Sequence, residues 1–209
     1  MGDVGGLRER KKRQMYRRLS DTAIGLFQQK GFDQVTVADV AAAVDISKPT
    51  LFRYFPAKED LVLHRLADHE GEAGRVVAQR PAGSSVLEAV RCHFLDGLAR
   101  RDPVTGLNDD AEVLAFHRLL YGTPSLVARL HVHTERDEAA LADALGDETG
   151  GGVQARLAAG QIVAVRRVLA QENWRHITAG RSADALYPEA VAVARSAFAQ
   201  LEAGLPHLA

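Results

Sequence analysis

The sequence predicts an all-α protein of about nine helices, and three observations carry that expectation. Stretches that alternate apolar and polar residues are nearly missing. Apolar residues recur instead at three- and four-residue steps. Gly, Pro and the small polar residues stand where helices must begin or end.

Taken in order, Met15, Leu19, Ala23, Leu26 and Phe27 mark a first helix over roughly residues 8–30. Gly31 follows where the chain must turn left-handed, and Phe32 is placed to fold back on Phe27. Thr36 caps a second helix, with Asp39 at the third position of a capping box and Val35 set to staple onto Val40. Asp39 is one carbon shorter than the usual Glu, so a weaker reciprocal bond is expected. Ala38, Ala41 and Val44 allow close packing, and Asp45 ends the helix, since Asp tolerates the left-handed region better than most residues. Ser47 caps a third helix whose first turn holds Pro49, where a missing N–H has no intrahelical partner to lose. Phe55-Pro56 stops that helix after two turns.

Lys58-Glu59-Asp60 opens a fourth helix with carboxylates suited to the positive end of its dipole. Its apolar stripe, Val62/Leu66/Ala73/Val77, runs on toward Arg80. Pro81-Ala82-Gly83 breaks the chain, and Ser84 or Ser85 caps a fifth helix reaching about Arg101. A loop over 102–108 leads to a sixth helix (109–121), Gly122-Thr123-Pro124 to a seventh (to about Leu145). Past the flexible Gly146–Gly152 link come two long helices near 153–178 and 183–203.

The 46% hydrophobic and 25% charged composition is that of a folded globular chain. No apolar run approaches the roughly 20 residues that cross a bilayer, and MGDVGGLRERKKRQ lacks the apolar core of a secretory signal. The single cysteine, Cys92, fits a reducing compartment. A cytoplasmic protein is expected. Charge is uneven: residues 1–65 carry 12 Lys and Arg against 8 Asp and Glu, and seven of those bases fall within the first 18 residues. Such asymmetry points to a nucleic-acid-binding end, although a solvated basic tail gives the same count.

Signatures of catalysis do not appear. GxxxxGK, GxGxxG and HExxH are missing, and Gly150-Gly151-Gly152 has no Lys behind it. His131 and His133 fall on different sides of a helix, and His64 with Asp68 makes one weak pair. No enzyme, cofactor or metal site is expected.

The second and third helices are short, amphipathic and joined by a tight turn, which is the helix-turn-helix arrangement. Leu51, Phe55 and Ile46 are expected inside. Lys48, Pro49, Thr50, Arg53 and Tyr54 are left outside, with Arg53 fitted to the O6/N7 edge of guanine. Tyr54, Lys58 and the backbone N–H groups opening the fourth helix suit phosphate oxygens.

These residues also carry a resemblance. VTVADVAAAVDISKPTLFRYFPAKEDL resembles the DNA-binding domain of TetR-type transcriptional regulators, over residues 8 to about 65. The resemblance implies a division into a helix-turn-helix DNA-binding domain (1–56) and a helical ligand-binding and dimerisation domain (57–209). It implies DNA contacts from Thr36, Ser47, Thr50, Arg53, Tyr54 and Lys58, to which the outward Lys48 and Pro49 add. Two positions depart from the family pattern: Asp45 stands where Gly is common, and Phe52 where Tyr is common, which removes a hydroxyl contact.

In the C-terminal part, Tyr187, Val191, Ala194, Phe198, Leu201 and Leu205 form a narrow seam. Leu157/Ala164/Val168 and Ile162/Val165/Leu169 form two stripes on the preceding helix, so burial on two sides is expected. The resemblance implies a four-helix homodimer interface there, a palindromic double-stranded DNA operator, a small-molecule effector and repression as the usual mode. His69, Cys92, Phe94, His117, Tyr121, Asn173 and Trp174 are the candidate effector contacts. The alternative reading is a non-specific or architectural DNA-binding helical dimer.

Overall fold

The computed structural model describes residues 4–208, so residues 1–3 of the expected 1–56 domain and Ala209 lie outside the described residues. The described residues contain helices and no strand. They form α1 (Val4–Lys30), α2 (Val37–Ala43), α3 (Lys48–Tyr54), α4 (Lys58–Leu63), α5 (Glu72–Gln79), α6 (Val86–Ala99), α7 (Ala111–Gly122), α8 (Pro124–Ala144), the one-turn α9 (Gly146–Thr149), α10 (Gly152–Thr178) and α11 (Ala183–Gly204). No helix among the described residues is long and apolar enough to cross a membrane.

Every expected helix has its counterpart, but the fourth is interrupted. Between α4 and α5 the chain tightens into a 3-10 segment, His64–His69, and then turns left-handed at Gly71 (φ 67°). The pull comes from far along the sequence: the Gly71 N–H donates to Asp137 Oδ1 at 2.6 Å. Burial pushes the Asp137 carboxyl up from its ordinary pKa, and this backbone bond opposes the shift.

Two compact units result. One comprises the described residues up to Asp68 together with Ala115–His131; the other comprises His69–Leu114 and the chain from Val132 onward. In the first unit Leu19, Phe27, Val40, Leu51 and Leu61 share a core with Phe116, Leu120 and Leu126. Asp60 anchors the same unit, accepting from Arg129 Nε at 3.0 Å and Nη2 at 3.3 Å.

In the second unit, Leu87, Phe94 and Leu98 of α6 pack with Ile162 of α10 and Phe198 of α11. The loop before α7 is pinned to α10 at a place only glycine fits. Gly106 has φ +72°, and a Cβ there would sit 1.9 Å from the Ala170 carbonyl oxygen. Beside it the buried Asn173 donates Nδ2–H to the Thr105 carbonyl at 2.8 Å. On α10, Ile162 and Leu169 are buried while Val153, Leu157 and Val168 stay exposed, as does Val193 on α11. Both long helices therefore carry exposed apolar surface.

Candidate nucleic-acid interface

The helix-turn-helix is built from local caps. Thr36 Oγ1 accepts from Asp39 N at 3.2 Å, and Thr36 N donates to Asp39 Oδ2 at 2.7 Å. The reciprocal bond is thus short despite the shorter side chain, because Asp39 Oδ2 also accepts the Thr36 hydroxyl at 2.7 Å. These hydrogen bonds hold the exposed Asp39 carboxyl below its usual pKa. The Thr36 hydroxyl is committed to the cap in both directions.

The turn between α2 and α3 passes through Asp45 at φ 60°, in the left-handed region. Ser47 then caps α3, its Oγ accepting from Thr50 N at 3.2 Å and sharing a 2.8 Å hydroxyl bond with Thr50 Oγ1. Leu51 and Phe55 are buried, as their spacing required. Ser47, Lys48, Pro49 and Arg53 are exposed and Thr50 half-buried.

Phe52 stands 41% exposed, with the Lys48 ammonium 5.8 Å from its ring centroid. Two side chains sit otherwise than the sequence implied. Tyr54 is half-buried, edge-on to Tyr16 of α1 at 5.1 Å between centroids. Tyr16 also meets Phe55 at 5.1 Å and His64 at 5.3 Å. Burial among these rings pushes the His64 imidazole below its ordinary pKa. The outward face of α3 is therefore Lys48, Pro49, Phe52 and Arg53, while Tyr54 fastens α3 to α1.

Lys58 is the second. Its Nζ donates to the Phe32 carbonyl and lies 4.2 Å from the Phe32 ring centroid and 5.3 Å from that of Phe27. Phe27 and Phe32 themselves pack at 4.9 Å, as the helix ending at Gly31 predicts. The start of α4 has its own acceptor too, Ala57 N donating to Asp60 Oδ2 at 3.1 Å. The basic residues Arg8, Arg10, Lys11, Lys12 and Arg13 line the exposed first turns of α1.

The seven candidate effector contacts are divided between the two units. His117 and Tyr121 belong to the first unit, with ring centroids 5.6 Å apart. In the second unit Phe94 packs on Phe198 at 6.1 Å, Asn173 holds Thr105, and exposed Cys92 meets Glu88. Trp174 stands next to Gly106, its N 3.1 Å from where a Cβ would be. His69 pairs with Glu72 at 3.4 Å.

Glu72 is the centre of a polar cluster that periodicity did not reveal. Its carboxylate also lies 3.6 Å from His93 Nε2 and 3.6 Å from Arg166 Nη2. Burial alone pushes Glu72 up, but the His69 hydrogen bond and the His93 and Arg166 charges outweigh it and hold the carboxyl low. Arg166 stands between Ile162 and Leu169 on the buried stripe of α10, which was the available signal. Among the described residues no group of three or more His, Cys, Asp or Glu is arranged to hold a metal ion.

Residues 19–64 match the family of bacterial regulatory proteins of the tetR type. The regulator TcmR of Streptomyces glaucescens, an HTH-type transcriptional regulator, is 33% identical over 146 residues. That match covers 69% of this chain and 65% of TcmR, just under two thirds of the relative's length. Among solved structures, GusR of Salmonella enterica superposes over 90% of this chain and 93% of its own, with a TM-score of 0.55 at 18% identity. FadR of Bacillus subtilis, in complex with stearoyl-CoA, does so over 87% and 98%, with a TM-score of 0.52 at 16% identity. The structural likenesses are of fold, whereas the matched residues 19–64 contain the whole helix-turn-helix. Over residues 19–64 the chain thus carries the DNA-binding domain of the TetR family of bacterial regulatory proteins.

Proposed function

We propose that the protein is a sequence-specific DNA-binding transcriptional repressor that reads a palindromic operator as a homodimer and is released by a small-molecule effector. The observation that carries this reading is the outward face of α3. Lys48 and Arg53 stand exposed on a helix whose own caps are satisfied, so their charges are available to a partner. Arg53 takes the guanine edge, Lys48 and Ser47 approach the phosphates, and Pro49 lies against the groove wall. Thr36, Thr50, Tyr54 and Lys58 act one step back, holding α2, α3 and α4 in place through the bonds described above. DNA contacts thus arise within residues 1–56, and residues 57–209 serve dimerisation and effector binding, in the cytoplasm where the DNA is.

The dimer reading is supported by the uncovered Leu157, Val168 and Val193 on α10 and α11. Two-fold pairing places two α3 helices on half-sites about one helical turn apart. Effector control is supported by FadR, a fold neighbour whose structure holds stearoyl-CoA. Control of this kind requires an effector that binds the two arrangements of the reading heads with different affinity.

The test is selection of bound sequences from random duplex DNA, repeated with Arg53→Ala. A palindromic motif that loses definition at one position of each half-site in the variant is expected. Retention of DNA without any enriched motif, at low salt and high, would establish the architectural alternative instead.

A further inference from the structure

Phe52 has no place in the core that its neighbours build. Leu51 and Phe55 on either side are buried in the first unit's apolar cluster, whereas Phe52 keeps 41% of its surface exposed. A lone exposed apolar residue is ordinary on a protein surface and by itself indicates nothing. Its surroundings here are not ordinary. The ring is flanked on α3 by the exposed cations Lys48 and Arg53, with Lys48 Nζ 5.8 Å from the centroid. Pro49, three residues earlier on the same helix face, is exposed as well. An apolar strip of two residues thus runs between two positive charges on the face that a helix-turn-helix turns toward duplex DNA.

The chemistry of the strip selects its counterpart. A phenyl ring has no hydroxyl, so it cannot bond a phosphate oxygen or a base-edge acceptor. The major groove presents one apolar group, the C5-methyl of thymine. We infer that Phe52 reads the 5-methyl group of a thymine in each half-site, its ring packing on that methyl while Lys48 and Arg53 fix the register. The assignment rests on the duplex-DNA reading proposed above. It adds a specificity determinant at a position where the usual family residue, Tyr, brings a hydroxyl instead.

The experiment removes single methyl groups from the DNA rather than atoms from the protein. In the consensus duplex obtained by selection, each thymine is replaced in turn by deoxyuridine, symmetrically in both half-sites. The dissociation constant of the full-length protein is measured at one fixed salt concentration by fluorescence anisotropy. One thymine per half-site should show a loss of about fourfold for each buried methyl. With Phe52→Ala that penalty should fall below about 1.5-fold, and with Phe52→Leu, which keeps apolar surface, it should persist. Because the ring is exposed, neither variant should unfold, and circular dichroism melting confirms that. Equal affinity for every deoxyuridine duplex, or a penalty unchanged in Phe52→Ala, would overturn the assignment while leaving the regulator reading in place. Failure of the selection to yield any motif would overturn both.

Discussion

Lys58 separates two accounts of how the DNA-binding end works. By resemblance it is a phosphate anchor at the start of α4; in the structure its ammonium is held by the Phe32 carbonyl and by two aromatic faces. The informative variant is Lys58→Met, which keeps the apolar stem and removes the charge and the donor. A hydrogen bond from a charged donor contributes about 1.5–3 kcal/mol. The cation–π contacts of a half-buried ammonium add about 0.5–1 kcal/mol. Met retains the packing of the stem, so a net loss of about 2–4 kcal/mol is expected for the unit that contains α1 to α4. Urea unfolding followed by circular dichroism should then shift its midpoint down by about 1 M or more. DNA binding should be weaker only through that loss. The slope of log K against log salt should not change, since no phosphate contact disappears. A slope shallower by about 0.9 per contact, with an unchanged midpoint, would refute the reasoning and make Lys58 the anchor.

Three further outcomes are expected. Gly106→Ala combines a left-handed backbone with a Cβ 1.9 Å from the Ala170 oxygen, so it should cost about 2–5 kcal/mol. The fluorescence of the single tryptophan, Trp174, reports that unfolding, and an unaltered transition would contradict the packing described. His117 is pushed down by burial to about 4, from 6.5. The unfolded chain therefore takes up this proton near pH 6.5 while the folded one resists until about 4. Stability is intact above that window and is lost as pH falls through it, by up to about 3 kcal/mol. Urea midpoints for wild type and His117→Gln at pH 7 and 4.5 check this; equal pH dependence in both would sink it. Val168→Asp with Val193→Asp places charges on the uncovered faces of α10 and α11. If the proposed homodimer forms through these faces, sedimentation should show a dimer for the wild type and a monomer for the variant at micromolar concentration, and a dimer in both would move the interface elsewhere.

What was legible in the sequence was whatever depends on neighbours a few residues away. The caps at Thr36, Ser47 and Ser85 form as their residue types demand. Gly31 is left-handed at φ 92°, and Phe32 returns to Phe27. The buried halves of α2, α3 and α10 follow from spacing alone. What was not legible depends on partners far along the chain. The stripe Val62/Leu66/Ala73/Val77 runs straight through the break at 64–71, because the residue that makes the break, Asp137, lies 66 positions away. Spacing placed Phe52 and Tyr54 on α3 but did not reveal that Tyr16 claims one and leaves the other in solvent. The effector candidates were chosen for residue type along separate stripes. His117 and Tyr121 fall in the first unit and the other five in the second, where Asn173 is engaged by the Thr105 carbonyl.

The residues that complete the first unit have a practical bearing on building hybrid regulators. Phe116, Leu120 and Leu126 come from the middle of the chain yet sit in one apolar cluster with Leu19, Phe27 and Leu61. Arg129 clasps Asp60 from the same stretch. A reading head excised at residue 56, or even at 68, would leave these partners behind and expose the apolar surface they cover. Such a fragment should be isolated as an aggregate rather than as a portable DNA reader. A graft that transplants this helix-turn-helix onto another C-terminal domain must carry residues 115–131 with it, or rebuild their surface on the recipient.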